Sequence, residues 1–70
     1  MPITMVKNGD IVTIQRITGT DEVRQHLGEL GFVAGTEVKV VSNINGNVIV
    51  LVKDSRVALD KSMAMRVIVS

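Results

Sequence analysis

The sequence predicts an all-β fold, a small barrel of about five strands with one short α-helix inserted after the first. Three observations carry this. The apolar fraction is 46% and is mainly Val, Ile, Leu and Met; the β-branched members have stiff χ1 torsions that suit a pleated, half-buried surface. Turn signals recur at short intervals, at Asn8-Gly9-Asp10, Asn45-Gly46 and Asp54-Ser55. Helical spacing stands out over one stretch, where Val23, Leu27 and Leu30 fall at i, i+4 and i+7. Closure into a barrel removes the edges that Val-rich strands would otherwise expose.

The elements follow in order. After Asn8-Gly9-Asp10 the residues from Ile11 to Ile17 are β-rich, with Ile11, Val12, Ile14 and Ile17 as apolar members, and form the first strand. Gly19-Thr20-Asp21 supplies a break and an N-cap. The helix that follows lays Val23, Leu27 and Leu30 across one barrel end and turns Arg24, Gln25, His26 and Glu29 elsewhere. Gly31 ends it by offering a left-handed conformation, and Gly35 closes a second turn. Gly28 lies inside the helix, where close contact with a neighbouring strand would explain it.

The second strand runs from Thr36 to Ile44, with Val38, Val40 and Ile44 on the core face and Glu37, Lys39 and Asn43 on the other. Asn45-Gly46 is a type I′ hairpin signal. Its partner runs from Asn47 to Lys53, and the unbroken Val48 to Val52 predicts burial on both faces or an apolar face awaiting a partner. Arg56 to Leu59 makes a short fourth strand, Asp60 to Ala64 a turn with one helical turn, and Met65 to Val69 the last strand. No linker or repeat divides the chain, so residues 1–70 read as a single domain.

Composition narrows the function. Eight Lys and Arg against seven Asp and Glu give a net charge of +1, too little for the counterion-releasing surface that nucleic acids require. Phe32 is the only aromatic residue, which removes base-stacking platforms and Pro-rich peptide grooves. No apolar run approaches the roughly 18 residues of a membrane span, and the opening residues are unlike a signal peptide, so a cytoplasmic location without membrane insertion is expected.

The segment HLGELGFVAG, residues 26–35, collects three glycines and the sole histidine. Its glycines close a helix, whereas a phosphate loop opens one, and the partial negative charge at a helix C-terminus opposes an anion. His26 has only Glu22 and Glu29 at helical spacing, a weak metal site at most. Without cysteine there is no thiolate ligand or nucleophile, and no Ser-His-Asp spacing is evident, so neither an enzyme nor a resident cofactor is expected. Lys61 lacks the flanking methionines of a biotinyl lysine, Met63 and Met65 standing around Ala64 instead.

The pattern Leu27-Gly28-Glu29-Leu30-Gly31-Phe32-Val33-Ala34-Gly35 with alternating valines, then Asn45-Gly46, Val57-Ala58-Leu59, Ala64 and Val67-Ile68-Val69, resembles the FeoA family of ferrous iron transport proteins over nearly the whole chain. The resemblance implies an SH3-like barrel and a small cytoplasmic accessory protein that contacts the cytoplasmic part of a FeoB-type GTPase-transporter and modulates it. It also implies a monomer or weak oligomer, with transition-metal transport as the setting. Arg24, His26, Glu29 and Val33 are the partner-contact candidates. The chain departs from the family pattern at His26, Ala34 and Asp60. Two alternatives are an oxyanion-binding domain like the molybdate-binding Mop domains, and a stand-alone iron-sensing domain related to one that ends some iron-dependent repressors.

Overall fold

Strand β1 occupies Ile11–Ile17, the residues predicted for it, in the computed structural model, which describes residues 1–70. A 3-10 helix at Ile3–Met5 precedes it, and α1 (Asp21–Glu29), β2 (Glu37–Ile44), β3 (Asn47–Val52), β4 (Ser55–Leu59), α2 (Lys61–Ala64) and β5 (Val67–Val69) follow. The strands form one antiparallel sheet in the order β4-β3-β2-β1-β5. Strand β1 is shared: Ile11, Val12 and Thr13 pair with β2, whereas Ile14, Arg16 and Ile17 pair with β5. One strand serving two partners wraps the sheet around a common interior.

That interior is wholly apolar, with fifteen buried hydrophobic side chains and no buried polar one. Alternation supplies most of it. Val48, Val50 and Val52 of β3 point inward and Ile49 and Leu51 do not, so the unbroken run is not buried on both faces. Asn45 and Gly46 take φ of 55° and 90°, the paired positive angles that a type I′ turn requires.

Two β-bulges decide which way the later residues of β1 and β2 point. Val40 pairs with Val50 but Ser42 with Ile49, so Val41 is an extra residue on β2. An extra residue reverses the alternation beyond it. Ile44, predicted for the core face, is therefore 67% exposed, and Asn43, predicted for the solvent face, turns inward. Its Nδ2 donates to the carbonyls of Thr4 and Val6 at 2.9 and 2.8 Å, and its Oδ1 accepts from the Gly46 amide at 3.0 Å. On β1, Ile14 pairs with Val69 and Arg16 with Ile68, so Gln15 is the extra residue. Ile11, counted among the apolar members of that strand, is exposed.

The N-terminal segment completes the fold. Ile3 and Val6 are buried, Pro2 bridges to Ile68, and Met1 exchanges hydrogen bonds with Val69, its amine donating at 3.0 Å and its carbonyl accepting at 2.7 Å. The free edge of β5 is thereby covered. Asn43 ties the same segment to β2. No helix is long and apolar enough to cross a membrane.

Candidate functional site

The segment 26–35 forms the corner between α1 and β2. Thr20 caps the start of α1, its Oγ1 accepting from the Val23 amide at 3.3 Å. At the other end the Gly31 amide donates to the Gly28 carbonyl and the Phe32 amide to the Leu27 carbonyl, both at 3.0 Å. These two bonds make a Schellman motif, in which the residue after the last turn must be left-handed. Gly31 meets that need with φ of 103°, as expected from the sequence.

The motif also changes which residues fill the barrel end. Leu27 and Phe32 are both buried, Val23 is half-buried, and Leu30 is 38% exposed. The predicted plug of Val23, Leu27 and Leu30 is thus corrected at its last member. Once the chain reverses at Gly31, Phe32 folds back into the position that a continuing helix would have given to an apolar residue of its own. The sequence marked Phe32 only as a lone aromatic.

A second correction concerns the two central glycines. A Cβ on Gly31 would lie 2.9 Å from Cγ1 of Val52 on β3, so the close approach to a strand belongs to Gly31. A Cβ on Gly28 would meet nothing within 4 Å. Gly28 therefore has no packing reason, although glycine inside a helix costs about 1 kcal/mol relative to Ala.

The space beside Gly28 is a groove of about 320 Å³ between α1 and the end of β1. Ile17, Phe32 and Val33 give it an apolar lining, and Arg16 and Arg24 are its charged members. Gln15, Ala34 and Gly28 itself complete it. Arg24 stands 3.7 Å from Asp21, with both side chains well exposed, and Arg16 has no carboxylate partner. The Gln15 bulge turns Arg16 away from the core while Ile17 packs against it.

Of the predicted contact residues, the groove brings together Arg24 and Val33, the latter 49% exposed. His26 and Glu29 are exposed on α1 and do not line it. Glu22, His26 and Glu29 do not converge into a metal-holding group. Arg16 and Gly28 were missed as site residues; strand parity with Val12 and Ile14 would have turned Arg16 toward the core, and only the bulge at Gln15 turns it outward.

A larger concavity, of about 670 Å³, lies where the N-terminal segment meets the β2–β3 turn. Its polar wall is structural: Asn43 spends its side-chain amide on Thr4, Val6 and Gly46, and the Asn8 Oδ1 accepts from the Asn43 backbone N–H. Lys61 lies with its stem across Gly46, whose missing Cβ makes the room. Beside it Asp60 caps α2, its Oδ1 accepting from the Met63 amide at 2.9 Å.

Comparison with known proteins agrees with this geometry. A family model described as the FeoA domain matches residues 1–70. The curated Fe(2+) transport protein A of Methanocaldococcus jannaschii is 32% identical over 68 residues, 97% of this chain and 83% of that protein. Among solved structures, an iron uptake regulatory protein, FeoA, has a TM-score of 0.91 at 30% identity, covering 99% of this chain and 93% of its own. FeoA of Stenotrophomonas maltophilia, complexed with zinc and described as a prokaryotic SH3 domain protein, has a TM-score of 0.85 at 30% identity, with 100% and 89% covered. T. acidophilum IdeR matches at 0.88 and 27% identity, this chain corresponding to 33% of that one. The five-stranded fold with its short helix after β1 is thus SH3-like.

Proposed function

The chain belongs to the FeoA family, associated with ferrous iron transport, and from that premise we propose that residues 1–70 act as one accessory domain that binds the cytoplasmic part of a FeoB-type transporter and modulates iron uptake. In this reading it is a cytoplasmic protein, a monomer or weak oligomer, and neither an enzyme nor the holder of a resident cofactor. The observation that carries it is the family match along the whole chain. The groove at the helix corner supports it by offering exposed apolar surface beside the guanidinium of Arg16, which has no carboxylate partner, and this suits a protein contact. Arg24 and Val33 are the contacts within that groove, and His26 and Glu29 flank it on the same helix.

Titration calorimetry of the full chain against the purified cytoplasmic domain of the transporter tests the binding step. Ferrous iron uptake into vesicles holding the whole transporter, with and without the chain, tests modulation. Saturable heat and a changed uptake rate are expected; the absence of both sinks the reading.

Likeness to T. acidophilum IdeR over a third of that protein favours a second reading, a stand-alone iron-sensing domain. It requires binding that depends on Fe²⁺. Running the same titration with the ion and with a chelator separates the two, since a pure interaction module binds equally in both.

A further inference from the structure

Gly28 is the one glycine of the helix corner that neither backbone nor packing demands. Its φ is not left-handed and a Cβ there would find open space, so nothing within the folded chain calls for glycine at this position. The space it leaves open belongs to the groove. At about 320 Å³ that groove has room for one or two side chains of a partner.

Its chemistry narrows the occupant. Ile17, Phe32 and Val33 offer apolar contact, while Arg16 and Arg24 are its ionisable members and no carboxylate lines it. Arginine forks pair with carboxylates in two-point contacts, and a desolvated apolar anchor beside such pairs is the usual centre of a binding surface. A basic partner would bring like charges together; a purely apolar one would leave the Arg16 guanidinium unused and Arg24 with only its exposed pairing to Asp21.

We propose that the groove is a docking slot for a short acidic segment with one aliphatic or aromatic anchor, whose carboxylates pair with Arg16 and Arg24 while Gly28 keeps the slot open for the anchor. This rests on the transporter reading, and the segment belongs to the transporter's cytoplasmic part. A second copy of this chain, with a net charge of +1, has no overall electrostatic attraction to the groove.

The test uses the full chain labelled with ¹⁵N, the transporter's cytoplasmic domain, and two synthetic peptides, a leucine flanked by glutamates and a leucine flanked by lysines. The domain and the glutamate peptide are expected to shift the amides of Gly28, Val33 and Ala34, and binding should weaken as salt rises. Gly28→Leu fills the slot and should weaken binding of the domain at least tenfold. Gly28→Ala should melt higher than the parent yet bind a few-fold more weakly. Arg16→Glu with Arg24→Glu should abolish glutamate-peptide binding, and circular dichroism checks that this variant remains folded. If the domain binds but ignores all these substitutions, the slot is overturned while the transporter reading stands. If the domain fails and the glutamate peptide binds at the slot, the slot stands and the transporter is the wrong source. Equal binding of the two peptides, no binding by anything, or self-association through Gly28 and Val33 each overturns the proposal.

Discussion

The amide of Phe32 donates to the carbonyl of Leu27 at 3.0 Å, and the side chains of both residues end in the same buried core. One hydrogen bond thus closes the helix and delivers the only aromatic ring to the barrel end. Leu27→Ala would leave a cavity in that core, at a cost of about 2–5 kcal/mol. Leu30→Ala, at a more exposed position, should cost less than about 1 kcal/mol. Urea titration of both variants checks the contrast, and equal losses would show that the periodic stripe was buried after all.

Gly31→Ala combines two penalties. The left-handed backbone resists a Cβ by about 1–2 kcal/mol, and the added carbon would press on Val52 at 2.9 Å. Gly28→Ala, four residues before Phe32 on the same corner, should instead stabilise by about 1 kcal/mol. Thermal melts of the pair should therefore move in opposite directions, and shifts of the same sign would contradict the assignment of the two glycines.

Asn43→Ala removes the bracket between the N-terminal segment and the β2–β3 turn. The carbonyls of Thr4 and Val6 and the amide of Gly46 would each lose a partner. A loss of about 2–3 kcal/mol is expected from three such bonds at a partly buried site. Hydrogen exchange should show the amides of Met5 and Val6 losing protection before those of β3; uniform loss would argue against a local bracket.

Ile44→Thr should be almost neutral, within about 0.5 kcal/mol, because the bulge at Val41 has turned that position to solvent. Val40→Ala, on the core side of the same bulge, should cost more than about 1 kcal/mol. Denaturant midpoints measure both, and a large loss at Ile44 would restore the unbulged register.

Asp60→Ala takes away the cap of α2, at a cost of about 1 kcal/mol. Asp60→Asn keeps an oxygen acceptor for the Met63 amide and should cost less. Melting temperatures ranked parent, Asn, Ala are expected; the reverse order of the two variants would deny the cap.

Much of the fold was legible because it rests on local signals. The limits of β1, the Thr20 cap, the stop at Gly31 and the Asn45-Gly46 turn are all written in neighbouring residues. The bulges were not, because an extra residue is defined only against the strand it faces, and so Asn43 and Ile44 were assigned to the wrong sides. Ile3 and Val6 escaped for a related reason: a short segment becomes core only when distant strands cover it. In the site, Arg24 and Val33 were found from exposure on a predicted corner. Gly28 carried a signal, glycine within a helix, but its meaning needed the empty space beside it. Arg16 comes next to that space only through the pairing of β1 with β5.

The division of β1 between two partners has a mechanical outcome. The meander β2-β3-β4 is built from adjacent hairpins and holds together by short-range pairing. The groove wall at Arg16 and Ile17 is fastened instead to Ile68 and Val67 of β5, about fifty positions away along the chain. Val67 and Val69 of β5 are fully buried, and local opening is most costly at such core strands. The wall is therefore anchored in the hydrophobic interior itself, so that a partner pressing into the corner meets a berth already in place that needs no ordering.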